Sequence, residues 1–243
     1  MPRANRYILP GYLYHITHRC HNRSFLLRFI RDRNYYTACL RKATRRFTVS
    51  ILGYCLTRNH IHLILCCREL NSISRFMQFV EGRSAQQYNR RKKRKGAFWE
   101  DRYFCTMIQN GRSLWNCLRY IDLNMVRAGV VAHPSEWQWC GYNEFMGFHG
   151  RCRILDIPTL LVKLGFSDEV NARNCYREDI AMHLASGDLE RRSMWTDSLA
   201  VGDRNFVEDM KKRIPRIRTY TTEEKTSEEA EIWSIKETKD AYT

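Results

Sequence analysis

The chain predicts an α+β fold, an antiparallel sheet with its helices gathered on one face. Three observations lead there. Segments rich in aromatic and β-branched residues, alternating in polarity or continuously apolar, lie at 12–19, 47–56, 60–67 and 98–108. Two stretches of helical spacing separate them in the order strand, helix, hairpin, helix, strand. With 243 residues, 44% of them hydrophobic, the chain can bury one large core or one core plus an appended module.

In chain order, the first strand carries Tyr12, Tyr14, His15, Ile16 and His18. His15, His18, Cys20 and His21 resemble a metal cluster, but His15 and His18 should face opposite ways on a strand, so contacts to phosphate or bases are the preferred reading. Asp32 is expected to cap a helix whose last turns hold Arg41, Lys42, Arg45 and Arg46, where cations suit the helix dipole. Strands 47–56 and 60–67 form a central hairpin across Thr57-Arg58-Asn59, and Asn71 or Ser72 caps the second helix. That helix ends in six consecutive cations, Arg90, Arg91, Lys92, Lys93, Arg94 and Lys95, closed by Gly96. A strand over 98–108 follows, in which Trp99, Tyr103 and Phe104 flank Arg102; rings to stack bases and cations to hold phosphates are what single-stranded nucleic acid requires, though core packing would explain the rings equally well.

A further helix begins near Arg112 and ends before Gly129, and the aromatic block 135–142 folds back on the core as a short helix. Two nearby glycines, Gly147 and Gly150, suggest a boundary between a domain over 1–150 and a basic helical accessory region over 151–220, with helices at 158–164, 167–184 and from 201 onward. The tail 221–243 carries seven acidic residues and three lysines, a balance of 3 − 7 = −4, and is expected to be flexible.

The formal net charge of +15 therefore leaves +19 on residues 1–220, which favours a polyanionic partner. No apolar run approaches the roughly 20 residues that span a bilayer, and no secretory signal is visible, so a cytoplasmic, nucleoid-associated protein is expected. Ten irregularly spaced cysteines lack a Cys-x-x-Cys pair or zinc-finger spacing and read as reduced, mostly apolar side chains.

The chemistry concentrates at two places. His60 and His62 sit at i and i+2 on a strand, so both imidazoles leave one face while Ile61 enters the core. Tyr120 and Asn124 are i,i+4 neighbours on one helix face. Each pair alone has an ordinary explanation: a solvated strand face for the histidines, and a helix edge for the tyrosine.

Taken together, Asn59-His60-Ile61-His62-Leu63-Ile64-Leu65 and the segment 120–129 resemble the paired signatures of IS200-like single-tyrosine transposases, especially the REP-associated tyrosine transposases. The opening 10–17, the segment Tyr88-Asn89-Arg90-Arg91 and the block 98–103 resemble that family in the same order, so the similarity spans residues 5–148. It implies a ferredoxin-like HUH-nuclease core in which Tyr120 attacks a phosphodiester of single-stranded or hairpin DNA and forms a 5′-phosphotyrosine link. It also implies a magnesium or manganese ion held by His60, His62 and Asn124, and no nucleotide cofactor. Arg58 and Arg127, beside the two motifs, join Arg102 and the run 90–95 as the cations expected at DNA. Met125 stands where the family usually has proline, which should let the tyrosine helix run on past Asn124, and Arg58 replaces another frequent proline.

Asp122, two residues from Tyr120, points away from it and is a poor general base. A histidine-triad hydrolase would need histidine at Ile64, and a metallo-β-lactamase-like nuclease would need Asp and His among the apolar residues and cysteines of 63–67. The rival reading is a transposase-derived protein that binds hairpin DNA without cutting it. Monomer and homodimer both fit.

Overall fold

The computed structural model describes residues 8–148, 153–214, 220–227 and 230–237. Strand β1 (Leu13–Arg19) leads to helix α1 (Ile30–Thr44), the hairpin β2 (Val49–Leu56) and β3 (His60–Cys67), helix α2 (Ser72–Arg91) and strand β4 (Phe104–Ile108). These four strands stand in the order β2-β3-β1-β4, all antiparallel, which is the ferredoxin-like arrangement that the family resemblance implies. Register follows burial. Thr17 lies opposite His62 and Arg19 opposite His60, so the odd-numbered residues of β1 share a face with both histidines.

Helices α1 and α2 pack together on the other face, where Glu81 of α2 meets His18 and Tyr36 of α1 meets Trp99. The histidine face is covered by α3 (Arg112–Asp122), whose Leu114, Cys117, Leu118 and Ile121 are buried. Close approach there requires glycine in β2: a Cβ on Gly53 would stand 2.6 Å from Leu118 Cδ2 and 3.0 Å from Ile121 Cδ1. The ferredoxin-like pair of helices thus lies on one face as expected, and the tyrosine helix closes the opposite one.

Several boundaries differ from the sequence expectation. Strand β4 begins only at Phe104; before it, Trp99 makes an isolated bridge to Cys20 while its ring stacks on His18 with centroids 4.5 Å apart. Asp32 lies in the first turn of α1 and pairs with Arg91 instead of capping, and Asn71 holds the N-cap of α2 in a left-handed conformation without a side-chain cap bond. Helix α3 does not run on: it pauses at Leu123 and resumes as the single turn α4 (Asn124–Arg127), ended by Gly129 at φ +65°. Because Leu123 N–H still donates to Arg119 C=O, the i,i+4 relation of Tyr120 and Asn124 survives the pause.

The block 135–142 anchors on the sheet through Trp137 Nε1, which donates to the Leu56 carbonyl, and is followed by α5 (Tyr142–Phe145). The boundary expected at 147–150 falls partly outside the described residues. Beyond it, α6 (Ile157–Leu164) and α7 (Glu169–Ser186) have strong starts, since Asp156 and Asp168 cap them by accepting backbone N–H groups. The single turn α8 (Met194–Asp197) leads to strand β5 (Ala200–Gly202), where the sequence suggested helix, and α9 (Arg204–Arg213) follows. Strand β5 pairs parallel with β4 and continues the sheet into β7 (Ala230–Glu237) and β6 (Tyr220–Ser227), a hairpin in the segment expected to be a flexible acidic tail. The backbone hydrogen bonding of β7 to β5 outweighs the polar composition there: Leu199 N–H donates to the Ile235 carbonyl, and Ile232 and Ile235 are buried. Residues 151–152, 215–219 and 238–243 lie outside the described residues.

Candidate active site

A cavity of about 540 Å³ opens where the ends of β1 and β3 meet α3 and α4. His60, His62, Tyr120, Asn124, Arg102 and Arg127 all line it. Two motifs separated by almost sixty residues are therefore brought onto one wall, because α3 packs across the face from which both imidazoles project.

The phenol ring of Tyr120 stands nearly perpendicular to that of His62, with centroids 5.9 Å apart. On its other side, Asn124 Nδ2 lies 3.1 Å from His62 Nε2. His60 and His62 have centroids 4.9 Å apart. Hydrogen bonds fix how the His60 ring presents its nitrogens. Asn59 Nδ2 donates to the Arg23 carbonyl, which turns Asn59 Oδ1 toward His60 Nδ1 at 2.8 Å, so Nδ1 carries the proton and Nε2 keeps its lone pair. Burial, aided by Arg19 and Arg191, lowers the His60 pKa to about 4. The pKa of His62 lies well below the ordinary range, chiefly through burial. Both rings are neutral at physiological pH, the state in which imidazole binds a metal.

These residues fit a divalent ion. Two neutral imidazoles and, after rotation of the Asn124 amide to present Oδ1, one carbonyl oxygen make a three-point site with room left for substrate oxygens. Among the described residues no group of three or more His, Cys, Asp or Glu side chains is arranged to hold an ion, and an ion at the two imidazoles would need the amide oxygen as its third donor.

Tyr120 is only 6% exposed, and burial raises its pKa, while Arg127 and Arg191 pull it back down. The Arg127 guanidinium sits 4.6 Å from the centre of the Tyr120 ring and is held there by the Leu189 carbonyl, which accepts from Arg127 Nε at 2.8 Å. Arg191 also lines the cavity. Neither Arg191 nor Leu189 carries a local sequence signal; both arrive because α7 docks on α3. That docking rests on Asp179, which accepts from Arg119 and from Trp115 Nε1, and on Asp122, which accepts from Tyr176 Oη and Cys140 Sγ. Asp122 is thus turned away from Tyr120, and burial raises its pKa to about 6.

The other expected DNA contacts lie elsewhere. Arg58 is exposed on the β2–β3 turn and does not line the cavity. The basic run divides: Arg90, Lys92, Lys93 and Lys95 are exposed, whereas Arg91 pairs with buried Asp32, and Arg94 donates to Asn89 Oδ1 and the Ala97 carbonyl. Of the rings around Arg102, Tyr103 is buried and Trp99 is packed on His18, leaving Phe104 at 36% exposure as the one of the three that lines the cavity. His15, set aside on the sequence, reaches the site: its Nε2 lies 2.9 Å from His62 Nδ1.

Residues 9–124 match the family described as IS200-like transposases. A Haemophilus influenzae protein provisionally named a REP-associated tyrosine transposase is 24% identical over 143 residues, covering 55% of this chain and 80% of its own length. The fold is shared with a REP-associated tyrosine transposase solved bound to a REP hairpin, at a TM-score of 0.51 and 20% identity, over 64% of this chain and 94% of that one. Over residues 9–124 the chain is thus similar in sequence to IS200-like transposases, and it shares the fold of the solved one. The match ends at Asn124, so Arg127, Arg191 and everything between them that borders the tyrosine lie beyond it. Among the described residues, no helix is long and apolar enough to cross a membrane.

Proposed function

We propose that this protein is a metal-dependent single-tyrosine transposase that cuts and rejoins single-stranded DNA at REP-like hairpins. The observation that carries the reading is the meeting of Tyr120, His62 and Asn124 on one wall of an open cavity, with His60 beside them. Similarity to a relative named for REP elements, and to a fold solved with a REP hairpin, supports the choice of DNA.

In this reading the Tyr120 oxygen attacks the scissile phosphorus. The new O–P bond forms as the P–O3′ bond breaks in line, leaving the 5′-phosphate on tyrosine and a freed 3′-oxygen that takes up a proton. The phenolic proton is released to water in the cavity. Arg127 and Arg191 favour the phenolate and face the phosphate's charge. Magnesium or manganese, held by His60, His62 and Asn124, would supply Lewis-acid polarisation of the scissile phosphate. Attack by a different 3′-hydroxyl reverses the chemistry and joins strands, with bond energy conserved in the phosphotyrosine so that no nucleotide cofactor is needed.

Incubation with a labelled single-stranded hairpin and Mg²⁺ or Mn²⁺, followed by a denaturing gel, tests this. A covalent adduct is expected with the native chain and none with Tyr120→Phe. Retarded DNA in a native gel without an adduct under either ion would replace the enzyme by a hairpin-binding protein.

A further inference from the structure

His62 is the ligand on which the proposed metal site turns, and a neutral imidazole can present a lone pair at only one of its two nitrogens. Which one depends on what the other nitrogen touches. His62 Nδ1 meets His15 Nε2 at 2.9 Å, and the rings are almost coplanar, with an interplanar angle of 10° and centroids 5.1 Å apart. The contact is therefore an in-plane hydrogen bond rather than a face-to-face stack.

The direction of that bond is set one step further back. His15 Nδ1 lies 2.8 Å from the carbonyl oxygen of Trp195. A carbonyl only accepts, so His15 Nδ1 must carry its ring proton. His15 is fully buried and its two ring nitrogens meet a carbonyl and another imidazole, neither of which can pair a charge, so the ring is neutral and its Nε2 is a bare acceptor. His62 Nδ1 must then be the donor. What remains at His62 Nε2 is a lone pair at the cavity wall, where Asn124 Nδ2 donates to it at 3.1 Å and a rotation of that amide would open it to an ion.

The far end of this relay is firmly held. Thr106 Oγ1, buried on the neighbouring strand, lies 3.1 Å from the Trp195 carbonyl and 2.7 Å from that of Ser198, and Trp195 is 1% exposed with its ring 6.3 Å from that of Tyr120. His60 is locked in the same tautomer by a separate, local device, the Asn59 side chain. The two imidazoles are thus set independently, one by its sequence neighbour and one by a carbonyl from a distant part of the chain.

We infer that His15 is a positioning residue for the metal site: it passes the hydrogen-bond polarity of the Trp195 carbonyl to His62 and holds His62 as the Nδ1–H tautomer with Nε2 free for a divalent ion. This rests on the metal-dependent reading above. Ligand histidines whose second nitrogen is so engaged bind more tightly, and loss of the outer partner typically weakens metal binding by about 10–100-fold.

Long-range ¹H–¹⁵N NMR on the full-length, metal-free protein reads the tautomer directly. The native chain should show His62 with Nδ1 protonated and Nε2 bare; an Nε2–H tautomer would overturn the inference without any variant. Mn²⁺ binding by calorimetry should then weaken about 10–100-fold in His15→Phe, which fills the space but cannot accept. His15→Gln can accept from His62 and donate to Trp195, and should restore affinity to within about threefold. Equal Mn²⁺ affinity in native, Phe and Gln forms, with the tautomer changed in Phe, would refute the positioning role. If the native chain binds no Mn²⁺, the metal-dependent reading falls while the tautomer measurement still judges the relay.

Discussion

Strand β1 carries a histidine on each face, and the two have different work. His15 faces α3, stays neutral and is joined in line to His62. His18, three residues on, faces α1 and α2, where Nδ1 pairs with Glu81, Nε2 meets the Asp101 carbonyl and the ring stacks on Trp99. The same side chain borders the candidate site on one face and packs between helices on the other because the faces differ in what covers them. On one face His15 meets only neutral partners, a carbonyl and another imidazole, whereas on the other the carboxylate of Glu81 pairs with His18.

The contrast can be broken most sharply by removing one ring from each face. His62→Ala is expected to abolish Mn²⁺ binding measurable by calorimetry, since it takes away the central ligand. His18→Ala should leave Mn²⁺ affinity within about threefold and instead cost about 2 kcal/mol in urea unfolding, because Glu81 loses a largely buried partner. Equal metal loss in both variants would end the division of roles.

Acid should act on the face that carries His15 and His60. The folded-state pKa of His15 and of His60, each about 4, lies below the ordinary 6.5, so their contribution to stability is complete above pH 6.5 and is lost as pH falls toward 4. For fully buried His15 this amounts to about 3 kcal/mol. Asp122 acts in the opposite sense: its pKa is raised from 3.8 to about 6, so its contribution is present below 3.8 and lost as pH rises through 6. Two imidazoles outweigh one carboxyl. The melting temperature of the metal-free protein should therefore fall steadily from pH 6.5 to 4, and His15→Gln should flatten that slope; a melting temperature that rises over this range would contradict the assignment.

The smallest effect concerns the basic run. Replacing exposed Arg90, Lys92, Lys93 and Lys95 by alanine should flatten the salt dependence of single-stranded DNA binding by roughly 0.7 in log–log slope for each phosphate that is no longer neutralised. Arg91→Ala should act on stability more than on the slope, because it leaves the buried Asp32 carboxylate without its ion pair. An unchanged slope in the fourfold variant would remove the run from the DNA interface.

Much of the site is legible in the sequence because its rules are local. Two histidines at i and i+2 on a strand, and a tyrosine and asparagine at i and i+4 on a helix, keep their relation wherever the elements go, and even the pause at Leu123 leaves the second intact. His15 escapes such reading for an instructive reason. The rule that His15 and His18 face opposite ways holds, but the partner of His15 lies across the register on β3, and a single strand does not say which neighbour it will have. The same limit explains the hairpin at 220–237: net acidic composition argues for a solvated tail, and only pairing of β7 with β5 gives Ile232 and Ile235 a core to enter.

The sequence by itself determined the succession of strand, helix, hairpin, helix and strand, the histidine pair, the tyrosine–asparagine pair and the positive charge, all of which depend on periodicities of a few residues or on composition. The tertiary structure alone decided that Arg191 and the Trp195 carbonyl would stand beside Tyr120 and behind His62. Those contacts depend on how α7 and α8 dock, and docking is settled by side-chain packing and hydrogen bonds between segments that no local pattern connects.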